Sequence, residues 1–138
     1  VGIAAAIPRL TDYEDTGGPF YLDPQGLTPD PIEDDLALWV RTDTGVVVCL
    51  GCAHAGPINT LHHIHDLAQG ARIRAVVGGF HLMDASRKRV ERTIDSLLDL
   101  DPDLVVPCHC TGKSTLGPLR EALGGRMREG AAGLVLQF

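Results

Sequence analysis

The chain has 138 residues and a formal net charge of −6, and this acidic balance argues against a nucleic-acid surface, which usually needs a basic stripe. Its 44% apolar and 22% charged residues are those of an ordinary soluble globular domain, and no apolar run approaches the roughly 20 residues that span a bilayer. The first residues lack the basic stretch of a signal peptide, so we expect a cytoplasmic protein without membrane or nucleic-acid partners.

The chain begins in what reads as the middle of a strand. Residues 1–7 are mostly small and apolar and are followed by Pro8, so we predict a strand there and expect further residues to precede Val1 in the full gene product. Residues 8–35 are rich in Pro, Gly and Asp, which predicts a long connection. A connection of this length in a compact domain is usually functional or disordered.

From residue 37 onward, strands alternate with helices. Strands are predicted at 37–42, 46–50, 73–77, 104–106 and 134–138, and helices at 57–69, from a cap at Asp84 or Ser86 to Leu100, and from Ser114 or Thr115 to Leu123. The first two strands are joined through a hairpin-like turn, and the later ones through helices. This alternation predicts an α/β fold with a mixed sheet and no internal domain boundary.

Three of these strands run into small residues and then a histidine. The histidines are His54, His81 and His109, each separated from the next by about one strand-plus-helix unit. In α/β sheets, ligands sit beyond the carboxyl ends of the strands. Neutral imidazole is a good ligand for zinc, iron, copper and nickel. We therefore predict a shared metal site at this edge, against the alternative of three core histidines bonded to backbone.

Four cysteines lie within or at the ends of these strands. They are Cys49, Cys52, Cys108 and Cys110, and we expect reduced thiols that pack in the core. Their spacing also permits a four-cysteine zinc site. Residues 49 and 52 have opposite parity in a strand, however, so one of them would point away from such a site.

A second group of candidates concerns an anionic substrate. Thr111 and Lys113 precede the last predicted helix, whose first amides suit a phosphate or carboxylate, although ordinary helix capping explains them as well. The Gly-Lys-Ser run there is not a phosphate-binding P-loop, because Pro107 stands where that motif needs glycine. Arg9 is a further candidate for such a group, with a solvated surface charge as the alternative.

Three more histidines lie side by side on the first predicted helix. His62, His63 and His65 include a pair three residues apart, which is a chelating spacing. Three neighbouring positions on one helix cannot all face a site at the strand ends. We therefore expect a solvated helical face.

The strand-end segments resemble a known family. They read Gly51-Cys52-Ala53-His54-Ala55-Gly56, Val77-Gly78-Gly79-Phe80-His81-Leu82 and Pro107-Cys108-His109-Cys110-Thr111-Gly112. They are similar to the second half of metallo-β-lactamase-fold proteins of the dihydropterin ribofuranosylaminobenzene phosphate synthase group. This resemblance implies an αββα sandwich with one or two divalent metal ions, zinc above all, at one edge. His54 and His109 match family ligands, and His81 stands near the place of a bridging aspartate.

One part of the family pattern is missing from these residues. The superfamily's first ligand cluster, His-x-His-x-Asp-His, does not occur, so we expect residues 1–138 to be the C-terminal part of a single domain. The resemblance implies a hydrolase or related synthase that activates a metal-bound water and acts on a small, phosphorylated molecule. We expect this chain alone to be inactive. The alternative is a non-catalytic half-domain that pairs with a partner or with itself as a homo-oligomer.

Overall fold

The computed structural model describes all residues from 1 to 138 and contains a five-stranded mixed sheet and three α-helices. The elements are β1 (Gly2–Ala4), β2 (Ala37–Thr42), β3 (Gly45–Leu50), α1 (Pro57–Leu67), β4 (Ile73–Gly79), α2 (Arg87–Leu100), β5 (Leu104–Cys108) and α3 (Lys113–Leu123). The strands lie in chain order, with β1, β2 and β3 antiparallel and β3, β4 and β5 parallel. The predicted α/β class is confirmed.

The parallel half of the sheet positions the candidate site. Strands β3 and β4 are connected through α1, and β4 and β5 through α2, because parallel neighbours need a crossover. The carboxyl ends of these three strands therefore meet at one edge of the sheet. The residues that follow them, including the three predicted ligands, come to that edge.

The two faces of the sheet have different surroundings. Directly paired residues share a face, and the row Val48, Val76 and Val105 is fully buried in one core with residues of all three helices. The opposite face carries the row Leu38, Cys49 and Val77, of which Leu38 is 42% exposed and Cys49 is exposed. The helices thus cover one face, and the other keeps apolar surface in contact with solvent.

Both predicted terminal strands need correction. The first strand is Gly2–Ala4 only, because Ala6 adopts a left-handed conformation (φ 48°) that ends the extended backbone. The prediction of a strand at 134–138 is wrong: the amide of Leu134 donates to the carbonyl oxygen of Ala131 in a turn, and no strand forms there. This last segment lies beside Val77 and Val106 on the face away from the helices.

The first two helices begin where the sequence predicts, and only the start of the third differs. Ser86 caps α2 by accepting a hydrogen bond from the amide of Arg89, as one of the two expected caps. Helix α3 begins at Lys113 after Gly112, and the Thr115 hydroxyl donates to the Thr111 carbonyl oxygen instead of capping. None of the helices has the length and apolar composition needed to cross a bilayer.

Candidate metal centre

Unusual backbone conformations mark all three strand ends. Ala53, His81 and His109 have φ values of 56°, 47° and 51°, in the left-handed region that side-chain-bearing residues rarely adopt. Each such residue costs about 1–3 kcal/mol and persists only where the surrounding structure holds it. Three of them follow three adjacent parallel strands, so the strain is concentrated at one edge of the sheet. Such clusters are typical of binding and catalytic sites.

The structure brings two of the three predicted imidazoles together. The ring centroids of His54 and His81 are 4.1 Å apart, and the rings are tilted by 51°. Nδ1 of His54 lies 3.2 Å from the carbonyl oxygen of Thr16, and Nε2 of His81 lies 3.3 Å from that of Gly17. A carbonyl only accepts, so these nitrogens carry the protons. In the neutral imidazole, the second nitrogen of each ring is then the unprotonated one.

This arrangement fits a metal ion. Metal-ligating histidines commonly donate their other ring N–H to a backbone carbonyl, as His54 and His81 do here. The remaining nitrogen of His81, Nδ1, is buried and has no hydrogen-bond partner. Burial lowers the pKa of His81, and the neighbouring His54 lowers it further, so the ring is held neutral with its lone pair available.

The segment from Thr16 to Phe20 lies over the two imidazoles. The Phe20 ring meets His54 edge-on at 5.1 Å between centroids and lies 6.3 Å from His81. Gly17 has a φ of 74°, and a Cβ there would overlap with the His81 ring. The long connection predicted from the sequence thus covers the histidine pair and supplies its backbone acceptors.

Ion pairs and a hydrogen bond fix the residues just before this segment on α2. Arg89, with a side chain that is 3% exposed, pairs with Asp15, and Arg92 pairs with Asp12 at 3.3 Å. The Tyr13 hydroxyl bonds to Ser96 at 2.8 Å. Residues just before Thr16 are therefore held on the helix, which positions the carbonyl groups that orient the imidazoles.

Glu14 organises the start of α1, a role that no local sequence pattern indicates. Its carboxylate oxygens accept hydrogen bonds at 2.9 Å from the amides of Ile58 and Asn59, in the first turn of that helix. The cap residue Gly56 offers no side chain, so Glu14 satisfies amides that α1 leaves open. Burial raises the pKa of Glu14. Because α1 follows directly after His54, this contact also helps to place the histidine.

Arg9 stabilises the backbone at His54. Its guanidinium donates to the carbonyl oxygens of His54 at 2.8 Å and Pro31 at 2.5 Å. It also lines a pocket of about 440 Å³ with Asp35, whose carboxylate accepts from the Ala55 amide at 2.8 Å. Arg9 therefore has a structural task beside the predicted contact with substrate.

The third predicted ligand belongs to a different group. The ligand atoms of His109, Cys52 and Cys110 all lie within 4.8 Å of one another. It is the one such group of three or more His, Cys, Asp or Glu residues in the chain, and it contains neither His54 nor His81. Burial raises the pKa of the Cys110 thiol to about 11. The edge of the sheet at the carboxyl ends of β3, β4 and β5, here called the site edge, thus carries a histidine pair and a separate thiol–imidazole group.

The cysteines differ from both expectations. All four are free, but none belongs to the buried core: Cys49 is exposed and the other three are half-buried. The core-packing prediction is therefore wrong, because the exposed face of the sheet carries Cys49 and the strand ends carry the rest. A four-cysteine site does not form either, since only Cys52 and Cys110 come together.

The two substrate candidates near α3 have unlike surroundings. Thr111 is buried, and its hydroxyl donates to the Cys108 carbonyl oxygen at 2.7 Å and accepts from the Phe80 amide at 3.2 Å. Lys113 is exposed and lines a pocket of about 610 Å³ with His109. Thr111 thus connects two strand ends, whereas Lys113 is open to a ligand.

The three histidines of α1 lie away from the site edge. His62 is exposed, His63 is partly exposed, and Nδ1 of His65 lies 3.1 Å from the Ala71 carbonyl oxygen at the end of the helix. None of them joins a metal-binding group. They offer matched controls for substitutions at the strand ends.

Comparisons with known proteins agree with this geometry. No protein-family model matches the chain. The chain is 29% identical over 109 residues to 7,8-dihydropterin-6-methyl-4-(β-D-ribofuranosyl)-aminobenzene-5′-phosphate synthase of Methanocaldococcus jannaschii, covering 79% of this chain and 37% of the synthase. It is also 29% identical over 119 residues to an uncharacterised protein of the same organism, covering 86% of this chain and 43% of that protein.

A solved structure matches over almost the whole chain. It is a metal-dependent hydrolase of the β-lactamase superfamily, 33% identical, with a TM-score of 0.84 over 99% of this chain and 52% of the hydrolase. The chain thus spans about two fifths of the length of the curated relatives and about half of the solved hydrolase. It is homologous to the dihydropterin ribofuranosylaminobenzene phosphate synthase, and its fold is that of part of a metal-dependent hydrolase of the β-lactamase superfamily.

Proposed function

We propose that this chain contributes the half of a metal-dependent hydrolase, or of a related synthase, that carries the ligands His54, His81 and His109, and that it holds one or two divalent ions, with zinc as the preferred metal. The observation that carries the proposal is the His54–His81 pair, with one nitrogen of each ring bonded to a backbone carbonyl and the other free. Its position at the strand ends of a fold shared with a metal-dependent hydrolase supports the same conclusion.

A divalent ion at this edge supplies a Lewis acid for a carbonyl or phosphoryl oxygen and lowers the pKa of coordinated water. The residues of this chain hold the metal ligands in place and orient them. Thr16 and Gly17 fix the ring tautomers, Phe20 covers the pair, and the low pKa of His81, due to burial, keeps its nitrogen unprotonated at neutral pH. These contacts keep the site in place before a substrate arrives.

The proposed substrate is a small molecule that carries a phosphate or a carboxylate. Lys113 supports this choice, because it lies exposed at the start of α3 and lines the same pocket as His109. Arg9 is the second proposed contact, at the pocket beside His54. Thr111 acts through the backbone around the site. A cytoplasmic location, with four free thiols, is part of the proposal.

The activity test uses this chain alone and in a chimera. Residues 1–138 with added zinc are expected not to turn over phosphodiesters or lactones, because they span about half of the solved hydrolase and contain no His-x-His-x-Asp-His run. A chimera that adds the unmatched half of that hydrolase ahead of residue 1 is expected to show activity that a chelator abolishes. In the chimera, His54→Ala should lower kcat/KM by more than about 100-fold, beyond the loss typical of outer-shell partners.

His62→Ala is the control for the chimera, because His62 is exposed on α1 and has no part in the site. It should leave kcat/KM unchanged. Turnover by residues 1–138 alone, or a chimera whose activity survives His54→Ala, would contradict the proposal.

One observation favours the alternative of a half-domain that self-associates. The sheet face away from the helices carries the cross-strand row Ile3, Leu38 and Cys49, with Ile3 65% exposed. Apolar surface of this kind drives association. We expect concentration-dependent dimers in light scattering. Leu38→Glu should shift them to monomers, whereas Leu67→Glu, at an exposed position of α1, should not; monomeric wild-type protein at all concentrations would argue against this face as an interface.

A further inference from the structure

We propose that Cys52, His109 and Cys110 form a thiolate–imidazole site for a thiophilic divalent ion, separate from the His54–His81 pair. The inference deepens the proposed function, because it specifies the ligands and the metal class at His109. It shares with that proposal only the role of His109 as a ligand, so it stands or falls on its own measurements.

The distances within the group suit a tetrahedral ion. Zn–S and Zn–N bonds of about 2.3 and 2.0 Å place tetrahedral ligand atoms about 3.5–3.8 Å apart. The three ligand atoms already lie within 4.8 Å of one another, so small side-chain rotations bring them to bonding distance. His109 is exposed and the two cysteines are half-buried, so an ion can reach the group from solvent, and three protein ligands leave a fourth position open.

The backbone is built around the Cys110 sulfur. A Cβ at position 79 would lie 2.7 Å from that sulfur and 2.6 Å from the Gly51 carbonyl oxygen, so glycine leaves the space that the sulfur fills. The Cys110 thiol donates a hydrogen bond to the Cys52 carbonyl oxygen at 3.4 Å, which holds this sulfur beside Cys52. Metal binding releases the thiol proton, because the thiolate is the form that binds metals.

The donor set selects the class of ion. The group contains two sulfurs, one imidazole and no carboxylate, so it suits zinc and cobalt rather than the oxygen-preferring magnesium, calcium or manganese. Cys49 and Cys108 cannot complete it as a four-cysteine site, because Cys49 lies on the exposed sheet face and Cys108 packs beside Gly130. These two cysteines therefore serve as internal controls.

The test is a titration of reduced residues 1–138 with Co²⁺ in the absence of oxygen. We expect a thiolate-to-cobalt charge-transfer band that saturates at one equivalent. The band should be lost in Cys52→Ser and in Cys110→Ser, and kept in Cys49→Ser, Cys108→Ser and His54→Ala. Absence of the band in the wild-type protein, its persistence in Cys110→Ser, or its loss in Cys108→Ser would overturn the inference.

A second measurement needs no substitution. Zinc should protect Cys52 and Cys110 of the wild-type protein from alkylation, as read by mass spectrometry, and leave Cys49 and Cys108 reactive. Equal labelling of all four with and without zinc would contradict the site. A charge-transfer band without hydrolysis by the chimera would leave this site standing and remove the proposed function, whereas hydrolysis without the band would do the reverse.

Discussion

Gly78→Ala is expected to destabilise the protein by about 3–5 kcal/mol, a large part of the 5–15 kcal/mol that typically separates folded from unfolded domains. Gly78 lies in the interior strand β4 with a φ of 136°, a conformation that residues with a side chain rarely adopt. A Cβ there would overlap with the carbonyl oxygen of Leu50 on the neighbouring strand. Left-handed strain of about 1–3 kcal/mol adds to an overpacking cost of similar size.

The matched control is Gly117→Ala in α3. Gly117 lies within the helix, and a Cβ there would meet nothing within 4 Å. Alanine is favoured over glycine in a helix interior by about 1 kcal/mol, but Pro118 follows this position and disfavours helical backbone in a residue with a Cβ, so little net change is expected. Urea unfolding of both variants checks the pair. A Gly78→Ala midpoint equal to that of the wild type would refute the strained, closely packed conformation of β4.

Glu14→Ala is expected to cost about 2–4 kcal/mol. The change removes the acceptor from the amides of Ile58 and Asn59, both of which are buried, and each buried donor without a partner costs about 1–3 kcal/mol. Relief from burying a charge offsets part of the loss. Asp12→Ala is the control, since its ion pair with Arg92 is largely exposed and such pairs contribute about 0–1 kcal/mol.

The effect of Glu14→Ala should depend on pH in a definite direction. Burial raises the folded-state pKa of Glu14 above its ordinary value, so the folded protein takes up this proton more readily than the unfolded chain. The stability of the wild type relative to the variant should therefore increase as pH falls through the raised pKa, and level off below the ordinary value. Unfolding curves across the acidic range check this, and a difference that shrinks with falling pH would contradict the assigned burial.

The periodic part of the fold could be predicted from the sequence. Leu61 and Ile64 lie three residues apart on one face of α1 and are fully buried, and the strand–histidine segments follow three adjacent parallel strands. These features depend on local patterns of residues, which can be read from the sequence without the structure. The termini could not be predicted in this way. Residues 134–138 have the composition of a strand but no strand partner, and a strand exists only where another chain segment pairs with it.

The same distinction between local and long-range features applies to the candidate site. The sequence identified His54, His81 and His109, but strand order alone does not give distances between side chains beyond the strand ends. The pairing of His54 with His81 depends on left-handed backbone at Ala53 and His81. Residues outside the sheet, such as Glu14, contribute through contacts across more than 40 positions, for which no local signal exists.

The central claim is that the strand-end histidines hold divalent metal, and zinc content after equilibrium dialysis tests it directly. We expect His54→Ala to lose the zinc held at the histidine pair and His109→Ala to lose that held with the two thiols. The double variant should bind none, while His62→Ala and His63→Ala, on the solvated face of α1, should match the wild type. Wild-type zinc content in the His54→Ala, His109→Ala double variant would contradict the account.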